Sequence, residues 1–119
     1  MMKKMRKICL MLLFSFYCQA GYSFNMSFLN DSATANFTAA DWTMLDLASE
    51  KALSQYPNGK KLSWKNPKTG NHGFVQPLST FTRNGMKCRM LLIFNEANYQ
   101  SDKYQFSFCQ YGSTWKIAD

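Results

Sequence analysis

His72 is the only histidine in this 119-residue chain, so any imidazole acid–base chemistry begins with it. It lies between Gly70 and Gly73, in or beside a turn, where a solvated ring is the expected state. A Ser-His-Asp relay also needs a marked nucleophile, and no serine here stands in a nucleophile-elbow motif. A zinc site takes about four ligands; one histidine and a pair of cysteines do not supply them. Asp31, Asp41, Asp46 and Glu50 gather in or before one segment. Asp46 and Glu50 are four residues apart and share a helical face, as paired carboxylates must for acid–base work. That face reads as the wet one. No glycine-rich phosphate loop follows a strand. These residues assign no catalytic group, no metal and no cofactor, and the chain reads as not an enzyme.

Binding chemistry has a better foothold. Lys60, Lys61, Lys65 and Lys68 surround Trp64. Cations beside an indole suit an anionic glycan such as lipopolysaccharide or a cell-wall polymer, with the ring stacking on a sugar. Trp64, Lys61, Lys65 and Lys68 are therefore the candidate ligand contacts. The competing use of such lysines is solubility and the blunting of an edge strand.

The start of the chain says where this chemistry takes place. Lys3, Lys4, Arg6 and Lys7 precede an almost wholly apolar run over residues 8–17, and Cys18-Gln19-Ala20 is a small-x-small site. That is the layout of a secretory signal peptide. Its apolar run is about half the roughly 20 residues that a membrane-spanning helix needs, and no later segment qualifies. The expected domains are a signal peptide over residues 1–20, a linker or N-terminal arm over 21–37, and a folded domain over 38–119. Lipidation at Cys18 is the alternative to cleavage after Ala20, but Tyr17 is larger than the residue that lipoprotein processing prefers. The whole chain carries +7; without the four leader bases, ten bases face seven acids and +3 remains. The basic pI is thus largely an export signature, not a nucleic-acid footprint.

Cys9 and Cys18 leave with the leader, while Cys88 and Cys109 remain. An even pair in an exported chain reads first as one disulfide. It would close a loop of about 20 residues and contribute roughly 3 kcal/mol. The alternative is two separate buried thiols.

The elements that must position these residues follow from periodicity. Residues 21–37 show no sustained period. Thr38 followed by Asp41 is a capping-box start, and Trp42, Leu45, Ala48, Ser49, Ala52, Leu53 and Tyr56 fall on one helical arc. Pro57 and Gly59 end that helix. Leu62 and Trp64 alternate with Ser63 and Lys65, so residues 62–77 read as strand, turn, strand. Residues 78–83 form a short strand. Asn84-Gly85 favours a type I′ hairpin that sets Phe81 opposite Cys88 and Ser79 opposite Met90. Strands over 87–94 and 103–111 flank a polar connection over 95–102, and Trp115-Lys116-Ile117 closes the chain. The fold class is α+β: one N-terminal helix on a twisted antiparallel meander of five or six strands with one disulfide. Trp42, Leu45, Leu53, Tyr56, Trp64, Phe81, Met90, Leu92 and Trp115 are the expected core.

One conflict is built into this reading. A plain Cys88–Cys109 cross-strand pair places Met90, Leu92 and Phe94 on the disulfide's face. It places Leu91, Ile93, Tyr104, Phe106 and Phe108 on the other. Both faces are then apolar, and one helix covers only one. Either a bulge shifts a strand, or the arm or a partner covers the second face.

The run Trp64-Lys65-Asn66-Pro67-Lys68-Thr69-Gly70-Asn71-His72-Gly73-Phe74-Val75-Gln76-Pro77 resembles the signature of the outer-membrane surface antigens typified by the rickettsial 17-kilodalton antigen. Cys88-Arg89, Cys109, Gly112 and Trp115-Lys116-Ile117 follow in matching order, and the likeness spans about residues 41–118. The resemblance implies a small non-catalytic envelope protein of Gram-negative bacteria, often lipid-anchored. It implies no catalytic residues, and it carries over only Cys88 and Cys109 as a structural pair. Many relatives hold a glycine-zipper segment before this domain. Residues 21–40 lack one, so membrane association by that route is not expected. The expected function is structural or protein-interacting, in the periplasm or at the outer membrane or cell surface. Envelope proteins or outer-membrane components are the expected partners, with no nucleic acid. The alternative is a glycan-binding module.

Overall fold

The computed structural model describes residues 24–29 and 32–118. The leader, the cut after Ala20 and Cys18 lie outside the described residues. A 3-10 turn (Thr34–Asn36) leads to helix α1 (Ala39–Gln55). Five strands follow: β1 (Leu62–Lys65), β2 (His72–Arg83), β3 (Met86–Ala97), β4 (Gln100–Tyr111) and β5 (Thr114–Ile117). They form one antiparallel sheet in chain order. Helix and strand count are those the sequence leads to.

Thr38 caps α1 as expected. Its hydroxyl accepts from Asp41 N and its own N–H donates to Asp41 Oδ2. Leu45, Ala48, Ser49, Ala52 and Leu53 face the sheet and are buried, with Trp42 and Tyr56 packed at the margin. Asn84 (φ 52°) and Gly85 (φ 78°) make the β2–β3 turn. Phe81 pairs with Cys88 and Ser79 with Met90, as that turn dictates. Cys88 and Cys109 are directly opposed and disulfide-bonded, with α-carbons 4.0 Å apart.

Three expectations give way. The polar connection over 95–102 is strand for most of its length. Asn95, Glu96 and Ala97 pair with Asp102, Ser101 and Gln100, leaving a two-residue turn at Asn98 and Tyr99. The strands over 72–77 and 78–83 are one strand, interrupted by a register shift between Pro77 and Ser79. Pro77 has no N–H to give the ladder, but its carbonyl accepts from Gly59 N. Finally, Met90, Leu92 and Phe81 do not belong to the core. β3 and β4 pair without any shift from Cys88 to Ala97, so strict alternation holds. The helix lies on the Leu91 and Ile93 face, where both are fully buried with Val75 and Phe108. Burying each of these side chains is worth about 1.5–3 kcal/mol.

The arm shares that face. Phe24, Met26 and Leu29 are buried. Phe24 meets Phe108 at 5.5 Å between ring centroids, and Phe28 meets Phe106 edge-on at 5.3 Å. Met26 N donates to Asp46 Oδ1 at 2.8 Å. Asp46 is therefore half-buried under the arm rather than on the wet side of the helix. Burial pushes its carboxyl up; the Met26 bond opposes this, and Glu50 adds to it by repulsion. Among the described residues, nothing lies across the face that carries the disulfide, Met90, Leu92 and Phe94. Helix and arm occupy the opposite one. The expected bulge between the cysteine strands is absent, the irregularity lies instead at Pro77 and Ser79, and both sheet faces remain apolar, with the arm on the helix side.

Candidate functional site

The loop between β1 and β2 is built around a buried carboxylate. Asn66 N donates to Asn71 O and Gly70 N to Asn66 O, which closes the loop on itself. Gly70 takes φ 79° there, a value a Cβ resists. The side chains then turn inward to Asp41, which is fully buried. Asp41 Oδ1 accepts from Asn66 Nδ2 (2.8 Å) and Thr69 Oγ1 (2.9 Å). Asp41 Oδ2 accepts from Asn71 Nδ2 and Thr38 N, both at 2.8 Å. Burial alone would push this carboxyl up. The bonds from Thr38, Asn71, Asn66 and Thr69 outweigh it and hold it below the usual aspartate value. A carboxylate already holding four donors at a helix N-terminus is a brace, stabilised also by the helix dipole.

Arg89 is the counterpart at the other end of α1. It is 5% exposed. Nη1 donates to Ala52 O and Leu53 O, Nη2 to Tyr56 O and Asn58 Oδ1, and Nε to Thr80 Oγ1. The Ala52, Leu53 and Tyr56 carbonyls lie at the end of the helix; Ala52 O also accepts from Tyr56 N, while the last carbonyls of a helix lack intrahelical donors. A planar five-donor fork suits that task where a lysine would not. An anion at the N-terminus and a cation at the C-terminus thus fix the helix on the sheet.

The expected ligand contacts are not brought together. Trp64 is 7% exposed, its ring against Phe37 at 5.4 Å and its Nε1 over Gly73. Lys65 follows it in the strand and so points to the other face. Lys61 lies over the Phe74 ring at 4.3 Å on that face. Lys68 sits in the exposed loop. The indole is a core residue in this fold, and its burial argues against stacking on a sugar.

His72 is partly exposed. Its Nδ1 donates to Gly70 O at 3.1 Å, and its Nε2 is 3.5 Å from Glu96 Oε1. Glu96 is paired across the sheet with both His72 and Ser101. The row therefore runs His, Glu, Ser. Nucleophile activation needs the histidine in the middle, so this row cannot transfer a serine proton to the ring. No three His, Cys, Asp or Glu side chains among the described residues are close enough to hold a metal ion.

Reading the sequence alone finds the capping role of Asp41 but misses its network and the Arg89 clamp. The available signal was an arginine inside the apolar run Cys88–Phe94. A guanidinium on a strand between buried neighbours must find partners.

A capped helix held at both ends on a disulfide-stapled meander defines a small, braced α+β module that turns Asn66, Thr69 and Asn71 inward. Its sequence is similar to known proteins. Residues 51–116 match the family described as 17 kDa outer membrane surface antigen, and the chain belongs to that family. Similar proteins include the 17 kDa surface antigen of Rickettsia prowazekii, 42% identical over 50 residues, or 41% of this chain and 31% of the relative. The antigen of Rickettsia amblyommatis is 39% identical over 56 residues, or 46% of this chain and 36% of the relative. The chain thus spans about a third of the length of these curated relatives. No solved structure matches it. The motif residues Asn66, Thr69, Asn71, Cys88, Arg89 and Cys109 all fall inside the matched segment, while Asp41 precedes it. No helix among the described residues is long and apolar enough to cross a membrane.

Proposed function

We propose that this protein is exported to the periplasm or the outer membrane of a Gram-negative envelope and works by contact rather than by catalysis. One observation carries the reading. The polar groups of its most distinctive motif are committed to holding the helix, and the His72 row has the wrong order for a relay. The broad feature left for a partner is the partly exposed apolar sheet face. The family's description as outer membrane surface antigens supports the location. The signal-like leader supports export.

A photo-crosslinking residue placed at Leu92, in an expressing Gram-negative host, tests this. Adducts from Leu92, with none from the same residue placed at the exposed Leu47 on the helix, are expected. A chain that is released with the periplasmic contents and forms no adduct from either position would overturn the reading. The glycan alternative rested on an available indole, and the buried Trp64 gives it no support.

A further inference from the structure

The sheet face opposite the helix carries an apolar stripe along β3, flanked by Gln76 and Gln105 beside Leu92 and by Ser79 and Ser107 beside Met90. Phe74 and Phe94 stack at 5.2 Å. Leu92 and Met90 continue the row along β3, and Phe81 pairs with the disulfide. All but the cystine are partly exposed. Contiguous exposed apolar surface of this kind marks an interaction site.

The rim of the stripe states the chemistry of what meets it. Lys61 lies over Phe74, and Arg83 over Phe81 at 5.4 Å. Lys65 shares the face through its pairing with His72. Lys103 stands directly opposite Phe94, and Lys116 opposite Cys109. Five cations therefore surround the stripe. The one acid among these face positions, Glu96, already has His72 beside it.

We propose that this face docks on an anionic phospholipid surface. The proposal rests on the contact-making reading above and names the contact. Three features select a lipid leaflet over a protein. Five cations against one acid, itself beside His72, edge the stripe, which fits an anionic plane. Four of its five cations are lysines, a residue depleted at protein–protein interfaces, where arginine is enriched. Lys61 and Arg83 carry their charged ends over the Phe74 and Phe81 rings at the edge of the stripe, so cation and apolar surface would reach the headgroup boundary together. A second copy of the chain would bring five cations against five.

The test uses the exported form recovered from a Gram-negative host, mixed with phosphatidylcholine vesicles with or without phosphatidylglycerol. Partition is expected only onto the anionic vesicles, and it weakens as salt rises. Lys61→Gln with Lys103→Gln is expected to lower partition about 25-fold, at about fivefold per cation. Lys51→Gln with Lys87→Gln removes the same charge from other surfaces and is expected to change it far less. Both pairs are surface changes that leave the core intact. Phe94→Trp is expected to shift its emission to the blue on anionic vesicles. Equal loss from the two lysine pairs, equal binding to neutral vesicles, or no binding at all would overturn the proposal. Absent vesicle binding with Leu92 adducts to an envelope protein or to a second copy would replace the lipid with that partner and leave the contact reading standing. Absent binding with no adducts removes both.

Discussion

Replacing Asp41 by Asn isolates the brace at the helix N-terminus. The substitution keeps the volume but puts an amide where a carboxylate accepts four bonds, from Thr38 N, Asn66 Nδ2, Thr69 Oγ1 and Asn71 Nδ2. One amide nitrogen must then face donors. Hydrogen bonds to charged groups contribute about 1.5–3 kcal/mol each, and a buried donor left unpaired costs about 1–3 kcal/mol. With one or two donors stranded and the others weakened, the expected loss is about 3–5 kcal/mol at neutral pH. That is a large share of the roughly 5–15 kcal/mol that holds a domain together. The pH dependence gives an independent check. The Asp41 carboxyl is held below its ordinary value in the fold. Its contribution is therefore complete above the unfolded-state pKa and is lost as pH falls through the folded one. The gap between the parent and Asp41→Asn should be widest near neutrality and should close as pH falls below about 4. Urea unfolding with the disulfide intact, followed by tryptophan emission at pH 7 and pH 3, measures both. A gap under about 1 kcal/mol at pH 7, or a gap that is the same at both pH values, would refute the network as the source of stability.

Three further substitutions probe other parts of the construction. Arg89→Lys keeps the charge but cannot hold five acceptors on two sides. Leaving the carbonyls of Leu53 and Tyr56 short of donors is expected to cost about 2–4 kcal/mol, seen as a lower denaturant midpoint and faster amide exchange in the last turn of α1. Gly73→Ala would place a Cβ 2.1 Å from Phe94 O and 2.9 Å from Trp64 Nε1. Because the closer atom is backbone, the β2–β3 ladder must move, and a loss of about 3 kcal/mol or more is expected, read as lower yield and a lower melting temperature. Tyr99→Gly works the other way. Tyr99 is fully exposed at φ 62°, a left-handed conformation that costs a residue with a Cβ about 1–2 kcal/mol. Glycine there should raise the melting temperature by several degrees; an unchanged or lower value would show that the turn carries no strain.

Several features of this fold are legible in the order of residues alone. The Thr38–Asp41 capping box, the helical arc from Trp42 to Tyr56 and the Asn84-Gly85 turn are local patterns, and each specifies its own geometry. That turn alone fixes the register that opposes Phe81 to Cys88. The Asn98-Tyr99 turn is not legible, because tyrosine is no signal for positive φ and the polar residues around it read as loop. The Asp41 network is not legible either. Asn66, Thr69 and Asn71 have ordinary turn chemistry of their own, and their shared acceptor lies 25 to 30 residues away.

The sequence by itself determined the composition of each face of the sheet, because alternation along a strand is a property of the backbone. It determined the span of the helix and made a Cys88–Cys109 disulfide the first reading, which the structure bears out. It did not determine which face is inside. Met90, Leu92 and Phe94 are as apolar as Leu91 and Ile93, so hydrophobicity cannot choose between them. Tertiary structure chose through the few residues that fit only under a helix. Arg89 needs the carbonyls at the end of α1, and Gly73 makes room for the Trp64 ring. Those requirements place α1 on the Leu91 face and leave the disulfide's face, with its lysine rim, open to whatever the protein meets.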